Sequence, residues 1–254
     1  HTTLDTRMQK LANRIVTEQL DVIQKQFDQR WDWRKHKDVL YDLLDKAIRQ
    51  RNEYRSAKST EEKKEVYDRL KKNVAFVDSV QTIAQTIEVG FVVLDSKTGN
   101  IKAMVGGRDV EKGRGLNHVT QIKRQPGSSF KPYVYLTALE HGYRPRSTVR
   151  DAPFSCGRKH TVKNYSGGYR GRMPMSRALA KSVNTVAVKL SHEVGRKTVL
   201  TNLEKLGIKG VRPSCTMALG DTGITPLEHT AAYAAFANGG LSLEPFGITE
   251  IRNS

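Results

Sequence analysis

The stretch Arg124-Gln125-Pro126-Gly127-Ser128-Ser129-Phe130-Lys131-Pro132 decides how the chain is read. Pro126-Gly127 breaks whatever precedes it, and a helix is predicted from Ser128 to His141, closed by Gly142. Pro132 fits only the first turn of a helix, which pins the start near Ser128. Residues three apart share a helix face, so Lys131 is expected to hang beside the Ser128 hydroxyl. A serine becomes a nucleophile when a neighbouring base takes its proton. The helix N-terminus adds a field worth roughly 0.3–1 kcal/mol to a nearby anion.

Ser-x-x-Lys alone is a weak signal, since a solvated pair on a helix surface has the same spacing. A second signature follows it downstream, Lys181-Ser182-Val183-Asn184. Ser-x-x-Lys followed by Ser-x-Asn resembles the penicillin-recognising serine enzymes.

Around this centre the chain divides by composition. Thr2-Thr3-Leu4-Asp5 reads as a short strand, and Asp5 or Thr6 caps a helix to about Trp31 with Leu11, Ile15, Ile23 and Phe27 as its apolar stripe. Residues 32–75 are very polar: Leu40, Leu43, Leu44 and Ile48 mark one helix, and Ser59-Thr60-Glu61-Glu62 is a capping box for another carrying Val66, Tyr67 and Leu70. Ile87–Leu94 and Ile101–Val105 flank the turn Asp95-Ser96-Lys97-Thr98-Gly99-Asn100, predicting a β-hairpin that ends in Gly106-Gly107-Arg108. The region from Tyr143 to Gly171 reads as loop-rich. Pro174 opens a helix through Ala178-Leu179-Ala180, and Ser182-Val183-Asn184 interrupts it. Further helices run from Thr185 to about Glu193 and from Val199 to Leu206. Thr225-Pro226-Leu227-Glu228 combines an N-cap, a Pro at the first helical position and a Glu two residues later, starting a small-residue helix that Gly239-Gly240 ends.

The 254 residues carry 43 Lys+Arg against 26 Asp+Glu, a formal charge of +17. The basic residues are spread along the chain, and no zinc-ligand spacing or nucleic-acid signature accompanies them, so no nucleic-acid partner is expected. They suit an anionic membrane or wall polymer. No apolar run reaches membrane-spanning length, and the start at His1 points to a trimmed or processed product. Cys156 and Cys215 form either one disulfide or two buried thiols.

Taken together, Gly106-Gly107-Arg108, the Ser128 stretch, Asn164-Tyr165, Ala178 to Asn184, and Thr225 to Glu228 with Asn238-Gly239-Gly240 resemble the transpeptidase domain of class A penicillin-binding proteins, the bifunctional peptidoglycan synthases. The resemblance covers about residues 86–254 well and 1–30 loosely. It implies an α/β (α+β) fold of the penicillin-binding/β-lactamase-like kind, a mixed sheet flanked by helices. Two segments follow: residues 1–85 as linker plus polar helical appendage, and 86–254 as the first part of the transpeptidase domain.

By the same resemblance Ser128 is the acylated nucleophile, Lys131 its proton partner, Ser182 a proton relay to the leaving group and Asn184 a ligand for the substrate amide, with the Ser128 N–H as half of an oxyanion hole. Gly127, Ser129, Asn164 and Tyr165 are the implied substrate-binding positions. Neither metal nor cofactor is implied. The implied partners are peptidoglycan stem peptides ending in D-Ala-D-Ala and β-lactams, on the extracytoplasmic face of the membrane, in a parent that also carries a glycosyltransferase and an anchor.

Two features depart from the family, a missing third motif and a missing upstream glycosyltransferase. Nothing between Asn184 and Ser254 fits the third motif, Lys-Thr/Ser-Gly, so the C-terminal part of the domain is expected to lie elsewhere. Lys97-Thr98-Gly99 precedes the nucleophile, sits in a hairpin turn and is rejected. Two other readings compete: a β-lactamase or lactam sensor, against which Val183 stands where class A β-lactamases have Asp, and a non-catalytic polyanion-binding scaffold.

Overall fold

The computed structural model describes residues 1–109, 115–156 and 161–252. Two compact units divide the chain, residues 14–89 and residues 1–13 with 90–254. Helix α1, Thr6–Arg30, contributes to both.

Asp5 starts α1: its Oδ1 accepts from the backbone N–H groups of Arg7 and Met8 at 2.9 and 3.2 Å, two of the four donors a helix start leaves open. The expected apolar stripe is not the buried one. Ala12, Val16 and Leu20 are buried, whereas Leu11, Ile15 and Ile23 are exposed. Both sets have helical spacing, so periodicity alone could not choose between two faces of one helix. Nor is there a strand over Thr2-Thr3-Leu4-Asp5, only a bridge from Thr2 to Ile248.

The smaller unit continues with α2 (Lys37–Gln50), α3 (Asn52–Ser56), α4 (Thr60–Lys72) and α5 (Val74–Gln85). Leu44, Ile48, Leu70 and Val80 are its buried apolar side chains on these helices. The expected cap of α4 is half realised. Ser59 accepts from the Glu62 N–H at 3.0 Å, but Glu62 reaches back one residue further, to the N–H of Lys58 at 2.7 Å.

In the larger unit β1 (Phe91–Leu94) pairs antiparallel with β2 (Ile101–Val105), and Lys97-Thr98-Gly99 lies in the turn between them. The Thr3 hydroxyl donates to Ile101 O at 2.6 Å, and Ile101 N–H donates to Phe246 O at 2.9 Å, so both ends of the unit dock on β2. A Cβ on Gly106 would come within 2.7 Å of the Asn117 side chain, which explains the need for glycine after β2.

Helix α6, Lys131–Glu140, is the centre. It buries Tyr133, Val134, Tyr135, Thr137 and Ala138, so residues all round it are covered. The segment read as loop-rich holds two small antiparallel ladders, β3 (Thr148–Asp151) with β6 (Gly171–Pro174) and β4 (Phe154–Ser155) with β5 (Thr161–Val162). Short strands of this kind carry too few alternations to stand out in a sequence. Next come α7 (Met175–Ala180), α8 (Asn184–Glu193), α9 (Arg196–Lys205) and α10 (Pro226–Ala237). Their core side chains, Ala178, Val186, Leu190, Val199, Leu203 and Ala232, join Phe130 and Tyr133 of the central segment. The expected capping box opens α10, with Thr225 and Glu228 each satisfying the other's backbone N–H.

Cys156 and Cys215 form a disulfide with Cα atoms 5.8 Å apart, closing a sequence separation of 59 residues. Among the described residues no helix is long and apolar enough to cross a membrane.

Candidate active site

The chain enters α6 through a 3₁₀ turn, Gly127–Phe130, so Ser128 sits on this turn, one turn earlier than regular α-helix begins. Gly127 has φ +59°, which costs little only for glycine. Gly220, at φ +69°, packs directly on it: a Cβ there would lie 2.5 Å from Gly127 O and 2.6 Å from Gly127 N. This turn thus rests backbone on backbone against the loop before α10. Ser128 itself is exposed, while Phe130 behind it is buried.

Lys131 is 1% exposed, and burial lowers its pKa to about 8. Its Nζ donates to Ser182 O at 2.6 Å, to Ser182 Oγ at 2.9 Å and to Asn184 Oδ1 at 2.7 Å. Three acceptors match the three protons of an ammonium. The lysine of the first signature is therefore joined to both polar residues of the second, across 51 and 53 positions of sequence.

Ser182 has the strained conformation of the site. Its φ of +51° is the one left-handed backbone among the described non-glycine residues, a geometry that costs of order 1–3 kcal/mol and needs outside support. Support comes from both sides: Ser182 N–H donates to Leu179 O at 2.8 Å, and its own carbonyl and hydroxyl oxygens take two of the three Lys131 hydrogen bonds. The kink points the Ser182 side chain at Lys131 between α7 and α8. Val183 next to it is buried in the core.

Asn184 opens α8, and its amide is held at both ends, Oδ1 by Lys131 and Nδ2 by Lys163 O at 3.1 Å. Asn164, from the loop after β5, caps α8 from a distance: its Oδ1 accepts from the N–H groups of Asn184 and Thr185 at 3.0 and 3.3 Å. Lys131, Ser182, Asn184 and Asn164 are linked by hydrogen bonds, and Gly127 and Ser128 lie on the turn that leads into Lys131; Lys131 Nζ bonds to Ser182 and Asn184 and not to the Ser128 hydroxyl that the spacing predicted. Tyr165 is not tied into this network, and its side chain is fully exposed. Ser129 is exposed, and its hydroxyl meets Pro126 O at 2.7 Å and His229 Nε2 at 2.9 Å.

One supporting residue gave no sequence signal. Asp151, at the end of β3, is 1% exposed. Its carboxyl oxygens accept from Thr185 Oγ1 at 2.5 Å, Asn164 Nδ2 at 2.8 Å and Arg170 N at 2.8 Å. It fixes which way the Asn164 amide faces, and Asn164 in turn fixes the start of α8. A lone Asp before Pro153 reads as turn chemistry, and only the fold shows its partners. Among the described residues no three His, Cys, Asp or Glu side chains cluster as a metal site would need.

Comparison with known proteins gives the family. The penicillin binding protein transpeptidase domain family matches residues 89–253. The chain is 40% identical over 174 residues to penicillin-binding protein 1A of Aquifex aeolicus, covering 66% of this chain and 24% of that protein. It is 34% identical over 169 residues to penicillin-binding protein 1A of Pseudomonas aeruginosa, covering 64% and 20%. The crystal structure of penicillin-binding protein 1A from Haemophilus influenzae superposes with a TM-score of 0.60 at 36% identity, over 63% of this chain and 25% of that one. PonA1 of Mycobacterium tuberculosis, solved in complex with penicillin V, shares the fold at 24% identity and a TM-score of 0.56, over 62% of this chain and 45% of that one. The chain spans about a quarter of the length of the curated relatives it matches. With a family match over most of its length and a Lys131–Ser182–Asn184 centre, the chain belongs to the penicillin-binding protein transpeptidase domain family.

Proposed function

We propose that this chain carries the acyl-transfer centre of a class A penicillin-binding protein, a serine D,D-transpeptidase that cross-links peptidoglycan stem peptides. The observation that carries the reading is the buried Lys131 with its pKa lowered to about 8 and its Nζ on Ser182 and Asn184.

In the reaction, Ser128 Oγ attacks the carbonyl carbon of the penultimate D-Ala and gives its proton to neutral Lys131. The Ser128 N–H faces the developing oxyanion. As the C–N bond breaks, the proton passes through the Ser182 hydroxyl to the departing D-Ala amine, leaving an ester on Ser128. An amine from a second peptide then attacks the ester, its proton returns through Lys131 to Ser128 Oγ, and the cross-link is released. The three acceptors around Nζ support this order. Ser182 O and Asn184 Oδ1 can only accept, whereas the Ser182 hydroxyl can reverse and donate to a neutral amine. It is the one neighbour through which a proton can leave. Nζ bonds to the Ser182–Asn184 wall, and the proposed step needs it to approach Ser128 Oγ as the transition state forms, where catalytic hydrogen bonds tighten.

A β-lactam presents the same acyl carbon in a strained ring and would acylate Ser128. The Mycobacterium tuberculosis structures solved as penicillin G and imipenem acyl-enzyme complexes have this fold. The disulfide suits an oxidising, extracytoplasmic compartment. The family match disfavours the scaffold reading. The test is incubation of the full-length protein with a peptide ending in D-Ala-D-Ala and an acceptor peptide amine. Cross-linked product with release of one D-Ala per link is expected; no D-Ala release from either peptide contradicts the reading.

A further inference from the structure

The residue after the nucleophile is held from α10 by two side chains four positions apart, which share a helix face. Tyr233 OH donates to Ser129 O, and the His229 ring meets Ser129 Oγ at 2.9 Å. The hydrogen-bond partners point to one tautomer of the imidazole. The Ser129 hydroxyl has one proton, and it points to Pro126 O at 2.7 Å. With its proton there, Ser129 Oγ accepts from His229, an arrangement that calls for the imidazole proton on Nε2. The other nitrogen, Nδ1, lies 3.0 Å from the Tyr133 hydroxyl. Tyr133 is 1% exposed, and its hydroxyl proton has Nδ1 as its nearest acceptor, His229 O being 3.4 Å away. The chain of donors runs Tyr133 to His229, His229 to Ser129, Ser129 to Pro126. It starts in the first turn of α6 and ends on the residue before the 3₁₀ turn, so it spans Ser128 from both sides.

We infer that His229, as the neutral Nε2–H tautomer, is a positioning residue for the nucleophile turn, fixing Ser129 and with it the Ser128 N–H and Oγ. The inference rests on the reading of Ser128 as nucleophile. The groups facing the imidazole are Tyr133 from α6, Tyr233 from α10 and Ser129 from the turn. Glu228, next in sequence, is turned to Thr225 N–H and Oγ1, and Lys131 is turned to Ser182 and Asn184. Burial lowers the His229 pKa and raises those of Tyr133 and Tyr233, so all three are neutral near neutral pH.

Two measurements on the full-length protein test this. In the first, acylation by a fluorescent penicillin is resolved into non-covalent affinity and acylation rate for wild type, His229→Leu and His229→Gln. The Leu variant is expected to acylate about 10- to 100-fold more slowly with affinity little changed, as displacement of a reacting group by an ångström does. The Gln variant, whose amide can still donate to Ser129, is expected to recover most of the rate. A His229→Leu protein that unfolds at lower temperature but acylates at the wild-type rate overturns the proposal. In the second, ¹⁵N-histidine NMR of wild type, assigned with the His229→Gln spectrum, reads the tautomer. A proton on Nε2 is expected, and a proton on Nδ1 overturns the proposal. If wild type forms no adduct at all, the nucleophile reading fails, and the NMR result still decides the anchoring of Ser129.

Discussion

Lys131 Nζ lies 2.7 Å from Asn184 Oδ1, and that hydrogen bond joins the two signatures of the sequence into one site. A buried ammonium with three fixed acceptors is well held but is no base, so the chemistry needs the fraction that has lost a proton.

That fraction sets the pH dependence. Burial lowers the Lys131 pKa to about 8, so the neutral form is scarce well below 8, reaches about half there and dominates above it. The second-order rate of penicillin acylation is expected to rise with pH through about 8, and Lys131→Met is expected to lose it by a factor of about 10² or more. Stopped-flow acylation across pH 6 to 10 checks this, and a rate flat over that range would mean that Lys131 is not the proton acceptor.

Asp151 supports the site without touching the reacting atoms. In Asp151→Asn one carboxyl oxygen becomes an amide that faces a donor, either Arg170 N or the pair Thr185 Oγ1 and Asn164 Nδ2. A buried donor left unsatisfied costs about 1–3 kcal/mol. Urea unfolding should show a loss of that size, and acylation should slow because the start of α8 shifts. Unchanged stability and unchanged acylation would remove Asp151 from the account.

Gly220→Ala tests the backing of the nucleophile turn. The added Cβ meets the Gly127 backbone at 2.5 Å, at a φ of +69°. Destabilisation by more than about 1 kcal/mol is expected, with slower acylation. Gly142→Ala is the control, with a similar φ of +89° and open space around the Cβ: it bears the conformational cost without the clash. Equal acylation losses in the two variants would mean that the contact with Gly127 does not matter.

The disulfide closes a long loop between the β4–β5 hairpin and the segment that leads to Asp221, whose carboxylate accepts from Thr216 Oγ1 at 2.7 Å. In the chain-entropy account a loop of this length is worth about 4 kcal/mol. Thermal unfolding with and without a reductant should show a lowered Tm on reduction, and Cys156→Ser with Cys215→Ser should reproduce it. Equal Tm values would mean the bond contributes nothing to stability.

The residues that meet at Lys131, Ser182 and Asn184 were legible because they stand in two short motifs, and the capping box at Thr225 and Glu228 was legible because it is local. The hairpin at Lys97-Thr98-Gly99 was legible for the same reason, its turn residues being local. What was not legible depends on contacts across the chain. Asp151 meets partners 13 to 34 residues away, and His229 meets Ser129 across 100. Leu11, Ile15 and Ile23 carried a helical period yet lie on the exposed side of α1, because a helix with two apolar faces does not say which one is covered. Nor does sequence spacing tell that Ser128 enters α6 through a 3₁₀ turn, which leaves Lys131 bonded to Ser182 rather than to its neighbour three residues back.

Everything proposed for the site turns on Ser128 as the nucleophile. The most direct test is the intact mass of the full-length protein before and after incubation with a penicillin, beside Ser128→Ala. The mass of one penicillin is expected on wild type, localised to the peptide containing Ser128, and none on the variant. An adduct of equal yield on Ser128→Ala, or none on a folded wild-type protein, would contradict it.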